Sequence, residues 1–371
     1  MNEAAFYNGA VSGNSVGAPL RVSVIICSRN PRRDYLDRVL QSLQEQTLPK
    51  NCWELVLVDN ASSEPLADGW NLTWHPNSQH VREDNVGLTA ARRRGILAAS
   101  GDLLVFVDDD NVLDPDYLRR VIDISRGYRF LGVFGAGTIE PEFETKPLRK
   151  TKPWLRMLAL RTVSSPTWTN NPRDHVSVPW GAGLCVTSEV ASAYLEWVAR
   201  LQLRLDLGGI LDRRDEHLFC GGDDLFSFVC VQLGQGFGIF PALRMKHLIP
   251  SRRLTASYLL KLVHDHAYSH GILKYVLFTE QPMKFDLVEG MRLVLHAIHR
   301  GLFSAKCRWT VARGNERARR YIAAHHIPSV QSSLAISPPV GRQGRKHSET
   351  TVPESSIGIG FIFSVVATLL T

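Results

Sequence analysis

The chain has 371 residues, 44% hydrophobic and 21% charged, a composition that excludes an intrinsically disordered protein and supplies the side chains of a sizeable core. Against 36 acids, 43 Lys and Arg leave a net charge of +7, too small an excess to mark a nucleic-acid binder unless it is clustered. Six cysteines, at 27, 52, 185, 220, 230 and 307, form no CxxC pair, which disfavours a zinc knuckle or a disulfide framework and fits a reducing compartment.

Residues 1–20 have no basic start followed by an apolar run, so they read as a flexible leader and not as a secretory signal. RVSVIIC (21–27) and WELVLVD (53–59) are short β-branched runs of the kind that form parallel strands buried on both faces. Leu36, Leu40 and Leu43 recur between them at helical spacing, which completes a βαβ unit. GLTAARRRGILAAS (87–100) predicts the next helix and GDLLVFVD (101–108) the strand after it. Asp114 then caps a helix with Pro115 in its first position and Tyr117, Leu118 and Val121 on one face. The repetition predicts a doubly wound α/β fold, a mostly parallel central sheet with helices on both faces. Ligands of such sheets bind beyond the carboxyl ends of the strands.

Polar residues gather at those ends. Ser28, Arg29 and Asn30 follow the first strand, Asp59 and Asn60 the second, and Asp108, Asp109 and Asp110 the third. Asp59 has an alternative reading as a turn former ahead of Ala61 and Ser62. Three adjacent carboxylates repel, by roughly 1 to 4 kcal/mol for a close pair at surface-like dielectrics, so a compensating charge is expected. If the chain stays extended, Asp108 and Asp110 point the same way and make an oxygen pair suited to Mg²⁺ or Mn²⁺. The alternative is a solvated acidic turn that caps the following helix. Arg92, Arg93 and Arg94 lie on the helix that starts after Asn85 and Gly87, and at about 100° per residue only one of them turns fully toward the crevice, where it would meet a diphosphate. The first strand is followed by SRNPRR with no GxGxxG, which argues against a Rossmann dinucleotide site.

Six stretches occur in order: VSVIICSRN, LVLVDNAS, DNVGLTAARRRGILAASGDLLVFVDDDN, PWGAGLCVTSE, GGDDLFSFVCVQLGQGFGIFPALRMKH and IPSRRLT. Together they resemble the family 2 glycosyltransferases with the GT-A fold, over roughly residues 20 to 275. The resemblance implies an inverting transferase that uses a nucleotide-diphosphate sugar donor, a hydroxyl acceptor and a divalent metal, Mg²⁺ or Mn²⁺. It implies that Ser28 and Asn30 lie beside the nucleotide, that Asp59 hydrogen-bonds the base, and that Arg92 reaches the nucleotide or its phosphates. Asp108 and Asp110 match the outer positions of the DxD motif, with Asp110 the expected metal ligand and Asp109 near the ribose or sugar. GGDDLF matches the motif that carries the general base, which makes Asp224 the expected base and puts Asp223 where glutamate is more usual. A carboxylate beside Asp224 is expected to raise its pKa and improve it as a proton acceptor, while Asp223 also suits the N-terminus of the helix that follows. His247 aligns with a histidine that approaches the metal or diphosphate, the other reading being a structural histidine. Trp180, Gly181 and Gly183 resemble the segment that shapes the donor-sugar and acceptor pocket, the alternative being a buried turn with a core Trp. His264, His266 and His270, on a predicted helix, show no spacing that makes a metal site.

Arg93 departs from the resemblance where Asn is frequent. The Gly-rich, charged segment at 205–222 is expected to be a mobile acceptor loop. Past residue 275 the resemblance fades, and 276–327 reads as a helical basic extension. With KPLRKTKPWLR (146–156) it forms either a basic surface that lies peripherally on an anionic membrane or a plain helical cover packed on the domain. Residues 328–371 are expected to lack order, and their final apolar run has 15 residues, short of the roughly 20 that span a bilayer. The expected location is cytoplasmic, either free or peripheral on the inner face of the cell membrane. Two other classes share some features. A nucleotidyltransferase that makes sugar nucleotides would need a Gly-rich phosphate loop after the first strand, and a noncatalytic basic binding module would leave the aligned carboxylates unexplained.

Overall fold

A computed structural model describes residues 21–205 and 221–329. The first half is the repeat expected from the sequence: β1 (Val22–Ser28), α1 (Arg33–Gln44), β2 (Trp53–Asn60), a one-turn α2 (Leu66–Gly69), β3 (Ser78–Glu83), α3 (Leu88–Ala98) and β4 (Leu103–Val107). β1 pairs in parallel with β2 on one side and β4 on the other, and β3 continues the parallel set beyond β2. Then come β5 (Asn111–Leu113), α4 (Tyr117–Gly127), β6 (Leu131–Phe143), β7 (Arg161–Thr162), β8 (Thr167–Thr169), β9 (Leu184–Thr187) and α5 (Ser188–Leu205). After residues 206–220 the chain continues as α6 (Gly222–Gln232), β10 (Gly236–Ile249), α7 (Ala256–Phe278), α8 (Leu287–Arg300) and α9 (Leu302–Ala324).

The main strand order is β3-β2-β1-β4-β9-β6-β10-β5, with β7 on β6 and β8 on β10. β9 runs antiparallel to both β4 and β6, so the sheet is mixed beyond its parallel half. Both faces are buried, which is why β1 reads as a continuous apolar run: Val22, Val24 and Ile26 join one core cluster and Ile25 the other. The first cluster takes Leu36, Val39 and Leu40 of α1 with Tyr117, Leu118 and Val121 of α4. The second takes Ile96 of α3, Tyr194 of α5, Phe226 of α6 and Ile272 of α7. Ala318 and Ile322 of α9 join that cluster too, so this part of the C-terminal extension is a packed cover.

Two contacts fix the elements that carry the site. Tyr194 stacks on Phe226 with ring centroids 3.7 Å apart, and Phe226 also meets Phe106 of β4 at 5.6 Å. Such aromatic pairs add about 0.5–1.5 kcal/mol each beyond burial, and these hold the start of α6 against the strand that ends in the aspartate triplet. On the far side β10 pairs antiparallel with β5, His247 opposite Asn111, and the Leu248 amide donates to the Asp110 carbonyl at 2.8 Å.

Candidate active site

A crevice of about 530 Å³ opens at the carboxyl ends of β1, β2 and β4. Its lining brings together residues far apart in sequence: Ser28, Arg92, Asp108 to Asp110, Trp180, Gly181, Asp223, Asp224 and His247. Asn30, Asp59 and Gly183 are not part of the lining. Asn30 sits behind it at φ 49°, where its side-chain oxygen accepts from the Ser63 amide at 2.9 Å. The buried Asp59 accepts from the amides of Ser62 and Leu66 at 2.9 and 3.1 Å and pairs with Arg82 at 2.6 Å, a full complement for a carboxylate that shapes the turn after β2. Gly183 has φ +70° and its carbonyl accepts from the Tyr117 hydroxyl at 2.7 Å.

The triplet itself is a turn. The Asn111 amide donates back to the Asp108 carbonyl at 3.1 Å, so the alternation expected of an extended chain does not apply, and all three aspartates reach the crevice. Asp109 accepts a hydrogen bond from the Ser28 hydroxyl. Burial, then the neighbouring Asp110, push its carboxyl well above the usual carboxylate range. The compensating charge is Arg253, a residue the sequence offered only as part of IPSRRLT. Its Nη1 lies 2.9 Å from Asp110 Oδ2 and 3.3 Å from His247 Nε2. Asp110 Oδ2 and His247 Nε2 are 3.4 Å apart.

Among the described residues no three His, Cys, Asp or Glu side chains are already disposed around one metal position. The donor set nevertheless fits a hard cation. Asp110 and His247 are separated by about the ligand-to-ligand spacing of one Mg²⁺ or Mn²⁺ shell, and Asp108 and Asp109 line the same crevice from the same turn.

Across the crevice, Asp223 and Asp224 sit in the first turn of α6, where the helix dipole favours carboxylates. They face different partners. Asp223 Oδ1 pairs with Arg92 Nη1 at 2.8 Å, and its Oδ2 accepts from the Gly181 amide at 2.7 Å. Arg92 is thus the arginine of its run that turns inward, and in this structure its guanidinium rests on Asp223. Asp224 instead faces histidines: His270 Nδ1 lies 3.5 Å from its Oδ2, with His266 stacked on His270 at 5.2 Å and His175 edge-on at 5.6 Å. The expected rise in the Asp224 pKa is therefore corrected. Burial raises it, but hydrogen bonding from His270 and the fields of His270, His266 and His175 outweigh burial, and the carboxyl falls below its ordinary value.

The histidines are the functional candidates that the sequence reading passed over. The i, i+4 spacing of His266 and His270 was the available signal, since it puts both on one face of α7. His175, on the loop before Trp180, had no such signal. Trp180 lines the crevice with one ring face covered by Arg161, whose guanidinium carbon stands 3.7 Å from the ring centroid. Cys27 also lines the crevice, but burial pushes its thiol up to about 12, so it is no thiolate nucleophile at neutral pH.

The sequence pattern described as Glycosyl transferase family 2 matches residues 23–172, a span that includes β1 to β4 and the aspartate triplet. That span is similar to the family 2 glycosyltransferases. The chain is 24% identical over 262 residues to the succinoglycan biosynthesis protein ExoM of Rhizobium meliloti, a match that covers 68% of this chain and 75% of that one. It is 27% identical over 141 residues to the poly(ribitol-phosphate) beta-glucosyltransferase of Bacillus spizizenii, covering 34% of this chain and 22% of that one. Among solved structures, the mannosyltransferase PcManGT from Pyrobaculum calidifontis, in complex with GDP-Man and Mn²⁺, aligns with a TM-score of 0.46 and 18% identity over 85% of this chain and 78% of that one. The mixed α/β architecture, with its parallel half, agrees with the α/β fold expected from the sequence. Among the described residues no helix is long and apolar enough to cross a membrane. The expected acceptor loop at 205–222 falls almost wholly, and the C-terminal tail almost wholly, outside the described residues.

Proposed function

We propose that the crevice transfers a sugar from a nucleotide-diphosphate sugar to a hydroxyl acceptor with inversion at the anomeric carbon. The observation that supports this reading is the placement of two carboxylate groups on one crevice, the Asp108 to Asp110 turn and Asp224, with separate partners and separate electrostatics. Similarity to a protein named for succinoglycan biosynthesis supports a role in polysaccharide, glycolipid or cell-surface glycan assembly.

In this reading Ser28 contacts the nucleotide, Asn30 and Asp59 shape the turns beneath it, and Asp109 meets the ribose or sugar. Asp108, Asp110 and His247 would hold Mg²⁺ or Mn²⁺, which when bound neutralises charge on the leaving nucleoside diphosphate. In this structure Arg253 bridges Asp110 Oδ2 and His247 Nε2, and it would have to turn aside for an ion to take both atoms. Trp180 and Gly181 form the wall of the sugar and acceptor pocket, braced by Asp223 and Arg92, and Gly183 sets the turn of the loop behind them. Asp224 takes the proton of the acceptor hydroxyl as it attacks from the face opposite the leaving group. The lowered pKa of Asp224 keeps it ionised at neutral pH and weakens it as a base, with the histidines stabilising its charge.

Thermal shift with UDP, GDP, dTDP and CDP sugars, with and without Mn²⁺, identifies the donor; a shift with at least one donor that needs Mn²⁺ is expected, and none with any donor contradicts the reading. With that donor, Asp224→Asn is expected to keep the shift and lose sugar transfer, followed as nucleoside diphosphate release. Undiminished release in Asp224→Asn removes it as the base.

A further inference from the structure

α8 is amphipathic in the unusual sense. It buries Gly290 and Leu293, whereas Leu287, Val288, Met291, Val294, Leu295 and Ile298 are exposed, Ile298 to 72%. At about 100° per residue these six fall within an arc of roughly 120° on the solvent side, turned away from the buried pair. Leu302, 64% exposed, prolongs the stripe into the start of α9. A contiguous aliphatic surface of this kind is not needed for folding and marks a docking face.

The surroundings of the stripe are cationic. Between residues 284 and 320 there are nine Lys and Arg against three acids, and residues 146–156 hold five with no acid. The second group lies beside the first: Trp154 Nε1 donates to Ser304 Oγ at 3.1 Å, and Lys150 Nζ stands 6.0 Å from the Phe303 ring centroid. The basic segment thus abuts the first turn of α9, next to Leu302.

We propose that the outward face of α8, together with Lys150 and Lys152, seats the enzyme on an anionic lipid surface. Lipid fits both halves of the surface, acyl chains receiving the aliphatic arc and headgroups the cations. A second copy of the chain would bring the same cations against these and be repelled. The same basic segment runs on into the crevice wall, which Arg156, Met157 and Leu158 line, so docking turns that wall toward the lipid. Only this last consequence, access for a lipid-linked acceptor, rests on the transfer reaction proposed above; docking itself does not.

Sedimentation of the full chain with phosphatidylcholine vesicles, with and without phosphatidylglycerol, tests this. Binding is expected to the anionic vesicles and to weaken with salt. Met291→Glu combined with Ile298→Glu, both at exposed positions, should lower that binding about tenfold with an unchanged circular dichroism spectrum. Lys150→Gln with Lys152→Gln, on a separate segment, should lower it by a similar factor and flatten the salt dependence. A chain that stays in the supernatant with both vesicle types overturns the proposal, as does parental binding by both double variants. A dimer in light scattering that Met291→Glu/Ile298→Glu splits, without any effect on vesicles, makes the face a self-interface and equally overturns it.

Discussion

Arg92 and Asp223 form an ion pair 2.8 Å long across the crevice wall, with the Arg92 side chain only 6% exposed. A Cβ on Gly181 would stand 2.5 Å from Arg92 Nη2, and one on Gly222 would stand 2.8 Å from Nη1, so the two glycines make the space the guanidinium fills. Asp223→Asn leaves that buried cation uncompensated and is expected to cost about 3 kcal/mol in urea unfolding. Asp223→Glu, which keeps the charge, should recover part of the loss; equal stability of Asp223→Asn and the parent contradicts a bracing role.

Gly183 tests the neighbouring loop. Its φ of +70° disfavours any L side chain by about 1–2 kcal/mol, and a Cβ there would overlap Met245 Cε and Tyr117 Oη. Gly183→Ala is therefore expected to lose at least about 2 kcal/mol, read from thermal unfolding, through strain and the weakened Tyr117 hydrogen bond. Unchanged unfolding would show that the loop relaxes freely.

For Asp224 the pH dependence follows from the sign of its shift. A carboxyl held below its ordinary 3.8 is ionised across the neutral range, so the acid limb it imposes on kcat/KM lies below that value. His270→Gln removes the leading lowering influence while keeping a donor amide, and the limb should move to higher pH. Nucleoside diphosphate release followed from pH 4 upward should be flat at its acid end for the parent and fall there for His270→Gln; two flat profiles separate His270 from the ionisation of Asp224.

Ion binding has its own test. Asp110→Asn is expected to weaken Mn²⁺ binding at least tenfold in calorimetry, whereas Asp123→Asn on the exposed face of α4 should not change it. Equal affinities would move the ion site away from the triplet.

The parallel half of the sheet was legible because β1, β2 and β4 are buried on both faces and carry near-continuous apolar runs. β9 was not, since LCVT is four residues long and its antiparallel insertion between β4 and β6 is a tertiary event. In the site, the aspartates announced themselves by adjacency. Arg253 did not, because its partner Asp110 lies 143 residues away and nothing local marks the pairing. The fate of Asp223 was hidden likewise: a carboxylate beside Asp224 suggests mutual repulsion, and only the packed structure shows that Arg92 and Gly181 turn it aside.

The antiparallel ladder of β5 and β10 joins Asp110 to His247 through backbone hydrogen bonds, while Asp224 begins a separate helix. One residue of slip in that ladder would send His247 to the opposite face. The two walls of the crevice therefore answer to different kinds of change: one to anything that disturbs strand register, the other to whatever tilts α6. A family of variants could reshape the Asp224 wall for a new partner molecule and leave the triplet and its histidine in place.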